Sequence, residues 1–90
     1  MKIAFDVDGT LIQQGFESED TPRYDVINMF KMFENLGWEM YVWSGGGYDY
    51  AKRWSEKLGL KAEIAVKGSF VPDIAVDDME VELGKVNIRV

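Results

Sequence analysis

Four aspartates, one serine beside three glycines and one lysine are the side chains of this sequence best able to do chemistry together. Asp6 and Asp8 stand two residues apart near the start, Asp77 and Asp78 adjoin near the end, Ser44 precedes Gly45-Gly46-Gly47, and Lys67 lies between. If extended backbone continues through Asp8, the Asp6 and Asp8 side chains point to the same side. Three or four carboxylates in one cleft repel one another unless a cation neutralises them. The sequence has no histidine and no cysteine, so that cation is expected to be hard and oxygen-ligated, with Mg²⁺ the natural choice. Mg²⁺ beside an aspartate favours phosphoryl chemistry, because it binds the substrate phosphate while screening the nucleophile from that phosphate's charge. Aspartate can attack phosphorus to form an acyl phosphate that water then hydrolyses. The second aspartate of the pair is suited to protonate the leaving oxygen and later to accept a proton from water. Ser44 and the glycine loop can donate a hydroxyl and backbone N–H groups to phosphate oxygens, and Lys67 can set a positive charge against the transferring group.

The elements that must position these residues are legible from hydrophobic patterning. Ile3 to Val7 is an apolar run broken only by Asp6, as in a strand buried on both faces. Gly9 to Thr21 reads as a loop, with a small hairpin around Gly15. Thr21-Pro22 forms a helix start, with Thr21 as N-cap and Pro22 in the first helical position. Val26, Ile27, Met29, Phe30, Phe33 and Leu36 then recur at helical spacing until Gly37. Glu39 to Trp43 is a second apolar run. Tyr48 to Leu58 is helical through Ala51, Trp54 and Leu58, and Gly59 stops it. Ala62 to Val66 and Ile74 to Val76 are further short strands, and Val86 to Val90 is a final edge strand. Strands alternating with helices predict an α/β domain over residues 1–90, built of βαβ units around a parallel sheet. Ligands of such sheets bind beyond the carboxyl ends of the strands. Asp6 and Asp8, Ser44, and Asp77 and Asp78 follow the first, second and fourth runs, with Lys67 after the third. Phe30, Phe33, Trp38 and Trp54 read as core aromatics, Trp43 as a neighbour of Ser44 near the cleft, and Glu17, Glu19 and Asp20 as solvated loop.

Composition narrows the classes. The chain has 90 residues and is 47% hydrophobic, with five Phe, four Tyr and three Trp, enough apolar material for a packed interior. With 10 basic and 16 acidic side chains the net charge is −6, which argues against nucleic acid as a partner except as a phosphorylated end. No segment approaches the roughly 20 apolar residues of a membrane span, so the expectation is a cytoplasmic protein without a membrane partner. Without cysteine there is neither disulfide nor thiol catalysis.

Placed in order, these segments resemble the haloacid dehalogenase superfamily of phosphotransferases. Its first motif, hhhhDxDGT[LV], is similar to IAFDVDGTL at Ile3 to Leu11. Its second, an apolar strand ending in Ser or Thr, resembles YVWSGG; its third, a lysine upstream of the fourth strand, is matched by Lys67; its fourth is matched by IAVDD. The resemblance implies a three-layer Rossmann-like sandwich with a short, mainly parallel sheet. It implies Asp6 as nucleophile and Mg²⁺ ligand, Asp8 as general acid/base that binds the metal through its backbone carbonyl, and Asp77 as a direct Mg²⁺ ligand. Asp78 and Thr10 would support the metal from behind. Ser44, Gly45 and Lys67 would hold phosphate. Aspartate at position 8 is the residue of the phosphatases in that family, where dehalogenases carry another.

The chain departs from the family in having short connections where a cap domain is usually inserted, of about 13 and 7 residues, and only 12 residues after Asp78. It is expected to be a trimmed, capless core, with substrate selected by small loops, by a second copy roofing the open site, or by the substrate itself. The expected function is a Mg²⁺-dependent phosphomonoesterase acting on a phosphorylated substrate. The alternative is a non-catalytic module that keeps the fold and binds metal or phosphate without turnover. A calcium loop also opens with D-x-D, but Leu11 occupies its glycine position and a strand precedes it. A phospho-accepting receiver domain places its aspartate on a middle strand and is longer.

Overall fold

The computed structural model describes residues 1–14 and 20–90. Among them run, in order, β1 (Lys2–Asp6), β2 (Ile12–Gln13), β3 (Thr21–Pro22), α1 (Tyr24–Asn35), β4 (Glu39–Trp43), α2 (Tyr48–Lys57), β5 (Glu63–Ile64), β6 (Ile74–Asp77) and β7 (Val86–Arg89). The main sheet has the order β5-β4-β1-β6-β7, and its strands pair in parallel throughout. β1, which ends in Asp6, is therefore central, with β4 on one side and β6 on the other.

Alternation along the strands divides the apolar residues between two faces. Ile3, Phe5, Met40, Val42 and Val76 belong to a core that also holds Val26, Ile27 and Phe30 of α1 and Ala51 of α2. Phe5 and Phe30 meet at its centre, ring centroids 5.2 Å apart. The path β1, α1, β4, α2, β5 steps one way along the sheet, and right-handed crossovers put helices traced this way on one side. The opposite face is built from Ala4, Trp43 and Ala75, packed by Tyr41, Ala65, Phe70 and Leu83. Phe70 and Leu83 come from the segments that lead into β6 and β7, which are not helical.

The expected strands all appear: Glu39–Trp43 has the expected ends, Ile3 to Val7 is shifted by one residue to Lys2–Asp6, Ile74 to Val76 extends to Asp77, and Val86 to Val90 ends at Arg89. Ala62 to Val66 contracts to Glu63–Ile64, which pairs only with Tyr41 and Val42 at the sheet edge. Gly37 and Gly59 do end the helices: both follow an αR residue and adopt positive φ, +85° and +68°, a conformation glycine takes without a Cβ penalty.

Thr21-Pro22 does not start α1. It pairs antiparallel with Ile12–Gln13 in a separate two-stranded ribbon, where proline is tolerated because its missing N–H faces away from the partner strand. Arg23 is the N-cap instead, with extended backbone. Its N–H donates to the Leu11 carbonyl at 2.8 Å, and its own carbonyl accepts from Val26 and Ile27, so ribbon pairing and helix start meet at one residue. The turn expected around Gly15, with Glu17 and Glu19, lies outside the described residues; Asp20 is exposed. Among the described residues, no helix is long and apolar enough to cross a membrane.

Candidate active site

Asp6 ends β1 and Asp77 ends β6, each following the small residue (Ala4, Ala75) that faces the same side two positions earlier. Because β1 and β6 are neighbours, the two carboxylates meet at the strand ends. Asp78 joins them: one carboxylate oxygen each from Asp6, Asp77 and Asp78 lies within 4.8 Å of the others. Only 5% of Asp6 and 2% of Asp77 is exposed, a setting in which unneutralised charge costs several kcal/mol.

Lys67 reaches this cluster from the segment after β5. Its Nζ lies 3.1 Å from Asp6 Oδ1 and 2.7 Å from Asp77 Oδ2. The first contact is a directed hydrogen bond. The second is an ion pair by distance only, since Asp77 Oδ2 is buried and receives no aligned hydrogen bond. Asp77 Oδ1 accepts from the Met79 N–H at 2.9 Å. Burial first, then the charge of Asp77, pushes the Asp6 carboxyl up from 3.8 to about 6, although Lys67 pulls the other way. Burial works against the Lys67 ammonium, but the carboxylates of Asp77 and Asp6 hold its pKa above the usual lysine value. One ammonium thus does not balance the acidic cluster, and the arrangement favours a further cation.

The turn after β1 is built for close approach. Thr10 N–H donates to Val7 O at 3.1 Å, and Leu11 N–H to Asp6 O at 3.4 Å. Gly9 has φ +77°, and a Cβ there would overlap the Asp78 carboxylate; glycine meets both demands. Thr10 is fully buried and donates its hydroxyl to Asp6 Oδ2 at 3.4 Å. Arg23 donates from Nη1 to the Gly9 carbonyl at 2.9 Å and from Nη2 to Asp25 at 2.8 Å, tying the turn to the start of α1.

Asp8 departs from the expected geometry. The strand ends at Asp6, so the condition for Asp6 and Asp8 to share a side fails. The Asp8 carboxylate is not in the acidic cluster; its Oδ1 accepts the Tyr50 hydroxyl of α2 at 2.5 Å. Burial, and then the hydrogen bond to Asp8, pushes the Tyr50 hydroxyl up to about 12. Ser44, buried, follows Trp43, the register partner of Asp6. Its Oγ accepts the Gly46 N–H at 3.0 Å, leaving its own O–H free to donate; Gly45 is exposed in the same turn. Trp43 is wholly buried against Phe70 rather than lining the cleft. A cavity of about 410 Å³ borders the cluster through Asp77 but is otherwise lined by residues such as Met79, Asn87 and Arg89.

Tyr50 and Arg23 were not among the residues singled out from sequence. Tyr50 carried a usable signal: it precedes Trp54 and Leu58 at intervals of four on α2, so a hydroxyl-tipped residue continues the inward stripe toward the strand ends.

No family model matches this chain, and neither a curated protein nor a solved structure matches it significantly.

Proposed function

We propose that this protein is a Mg²⁺-dependent phosphomonoesterase that transfers the substrate phosphoryl group to Asp6 and then to water. The observation that carries the reading is the buried Asp6 carboxylate at the end of the central parallel strand, 3.1 Å from Lys67 and grouped with Asp77 and Asp78. The finer fold reading belongs to the same proposal: a trimmed, capless core of the haloacid dehalogenase type. Its third layer would be the non-helical segments bearing Phe70 and Leu83.

The donor set fits Mg²⁺, being oxygen-only, carboxylate-rich and, with three carboxylates against the one Lys67 ammonium, short of two balancing charges. Asp6, Asp77 and the Asp8 carbonyl would hold the ion, with Asp78 and Thr10 beside them; bound there, it would offset carboxylate charge and draw in phosphate oxygens. In the first step an Asp6 oxygen attacks phosphorus, the ester bond breaks, and Asp8 gives its proton to the leaving oxygen. In the second, water attacks the same phosphorus, Asp8 takes the water's proton, and Asp6 leaves as carboxylate. Lys67 meets the negative charge of the phosphoryl group, and Ser44 with the loop N–H groups can bind its outer oxygens.

The test is turnover of 4-nitrophenyl phosphate with Mg²⁺, beside Asp6→Asn and chelator controls. Activity should fall by about a thousandfold or more in Asp6→Asn and vanish with EDTA. A mutant as active as wild type, or indifference to EDTA, would falsify the mechanism. Mg²⁺ binding without hydrolysis of any phosphate ester would instead favour a non-catalytic binding module.

A further inference from the structure

We infer that Tyr50 is a positioning residue for Asp8, holding the carboxyl in the orientation from which it protonates the leaving group. The inference rests on the phosphatase reading and deepens it. Asp8 lies half-buried in the turn beyond β1, its backbone bridged to Ile12. Its described side-chain hydrogen bond comes from Tyr50, 42 residues away in the first turn of α2. The donor is directional, a single O–H aimed at one carboxylate oxygen.

Two features of the Ser44–Gly47 turn set Tyr50 in place. A Cβ on Gly46 would come within 3.1 Å of the Tyr50 ring, so glycine there leaves the ring its space. The Gly46 N–H is in turn fixed on Ser44 Oγ. The turn proposed to bind phosphate and the ring that holds Asp8 are therefore one packed unit, and the distance from phosphate to acid is set within it.

The chemical consequence concerns the two oxygens of Asp8. Oδ1, which accepts the tyrosine hydrogen bond, is disfavoured as the site of a proton. The acidic proton then sits on Oδ2, free to face the ester oxygen. Without the hydroxyl, the carboxyl can rotate and place its proton on either oxygen, and productive orientations become a minority.

The prediction is selective for the leaving group. An alkyl phosphate needs its leaving oxygen protonated, whereas 4-nitrophenolate is a weak base that departs without a proton. Tyr50→Phe should lower kcat/KM for a primary alkyl monophosphate about tenfold and leave that for 4-nitrophenyl phosphate within about twofold. Asp8→Asn should display the same selectivity on a larger scale, and Tyr50→Phe added to it should cost nothing further, because the two act through one group. Rates are normalised to the folded fraction measured by circular dichroism, so instability does not imitate either result. Equal losses on both esters, no loss on the alkyl ester, or a full additional loss in the Asp8→Asn background would overturn the assignment. Absence of turnover by wild type on either ester would sink the phosphatase reading itself, and Tyr50's role with it.

Discussion

The two faces of the central sheet are built on different terms. On one, Ile3, Phe5, Val42 and Val76 lie under α1 and α2, and Phe30 is sealed against Phe5. On the other, alanines stand where large residues would be expected, and the cover is a partly exposed aromatic group of Tyr41 and Phe70 over Trp43. Strand alternation assigns Asp6 and Asp77 to the second face, after Ala4 and Ala75. The helix-backed side supplies apolar burial. The thin side leaves room at its edge for carboxylates that packing alone would exclude. Asp8 escapes this division because the turn after Asp6 releases it toward α2 and Tyr50.

The contrast can be tested by truncation. Phe30→Ala should cost about 3–5 kcal/mol in denaturant unfolding, as a fully buried aromatic that leaves a cavity. Phe70→Ala should cost less than half as much. Equal costs would mean the two faces contribute alike to stability.

A smaller effect tests whether the thin side is arranged for a cation. At a concentration a hundredfold above its Kd, Mg²⁺ should stabilise the fold by about 2.7 kcal/mol, read as a rise in the thermal midpoint. Most of that gain should disappear in Asp77→Asn. No shift in wild type would show that the acidic cluster is not a cation site.

A third effect is electrostatic. Asp6 has its carboxyl raised from 3.8 to about 6 by burial and the charge of Asp77, so the folded state binds its proton more tightly than the unfolded state. Its contribution to stability is fully present below about 3.8 and is lost as pH rises through about 6. In the metal-free protein, Asp6→Asn should therefore match wild type near the lower value and exceed it by about 1–3 kcal/mol at neutral pH. A difference independent of pH would show that Asp6 carries no such penalty.

Much of the frame was legible because it is written locally. The apolar runs Ile3 to Val7, Glu39 to Trp43 and Ile74 to Val76 became the parallel strands β1, β4 and β6, and glycines 37 and 59 stopped their helices. The misread segment, Thr21-Pro22, carries a strong local helix-start pattern. It lost to a tertiary demand, since those residues pair with Ile12–Gln13 while Arg23 anchors the Gly9 turn. Asp78 was expected to support the metal from behind, on the family resemblance, yet one of its carboxylate oxygens lies within 4.8 Å of those of Asp6 and Asp77, and glycine at position 9 leaves that carboxylate its space.

By itself, then, the sequence determined which residue types stand at the strand ends. Alternation and turn chemistry act over a few residues and need no partner. Only the tertiary structure decided the pairings: Lys67 with Asp6 across 61 positions and Tyr50 with Asp8 across 42. Those depend on the order in which the strands assemble and on where the intervening chain returns. No local propensity encodes that, and it is what separates two aspartates only two residues apart into different chemical settings.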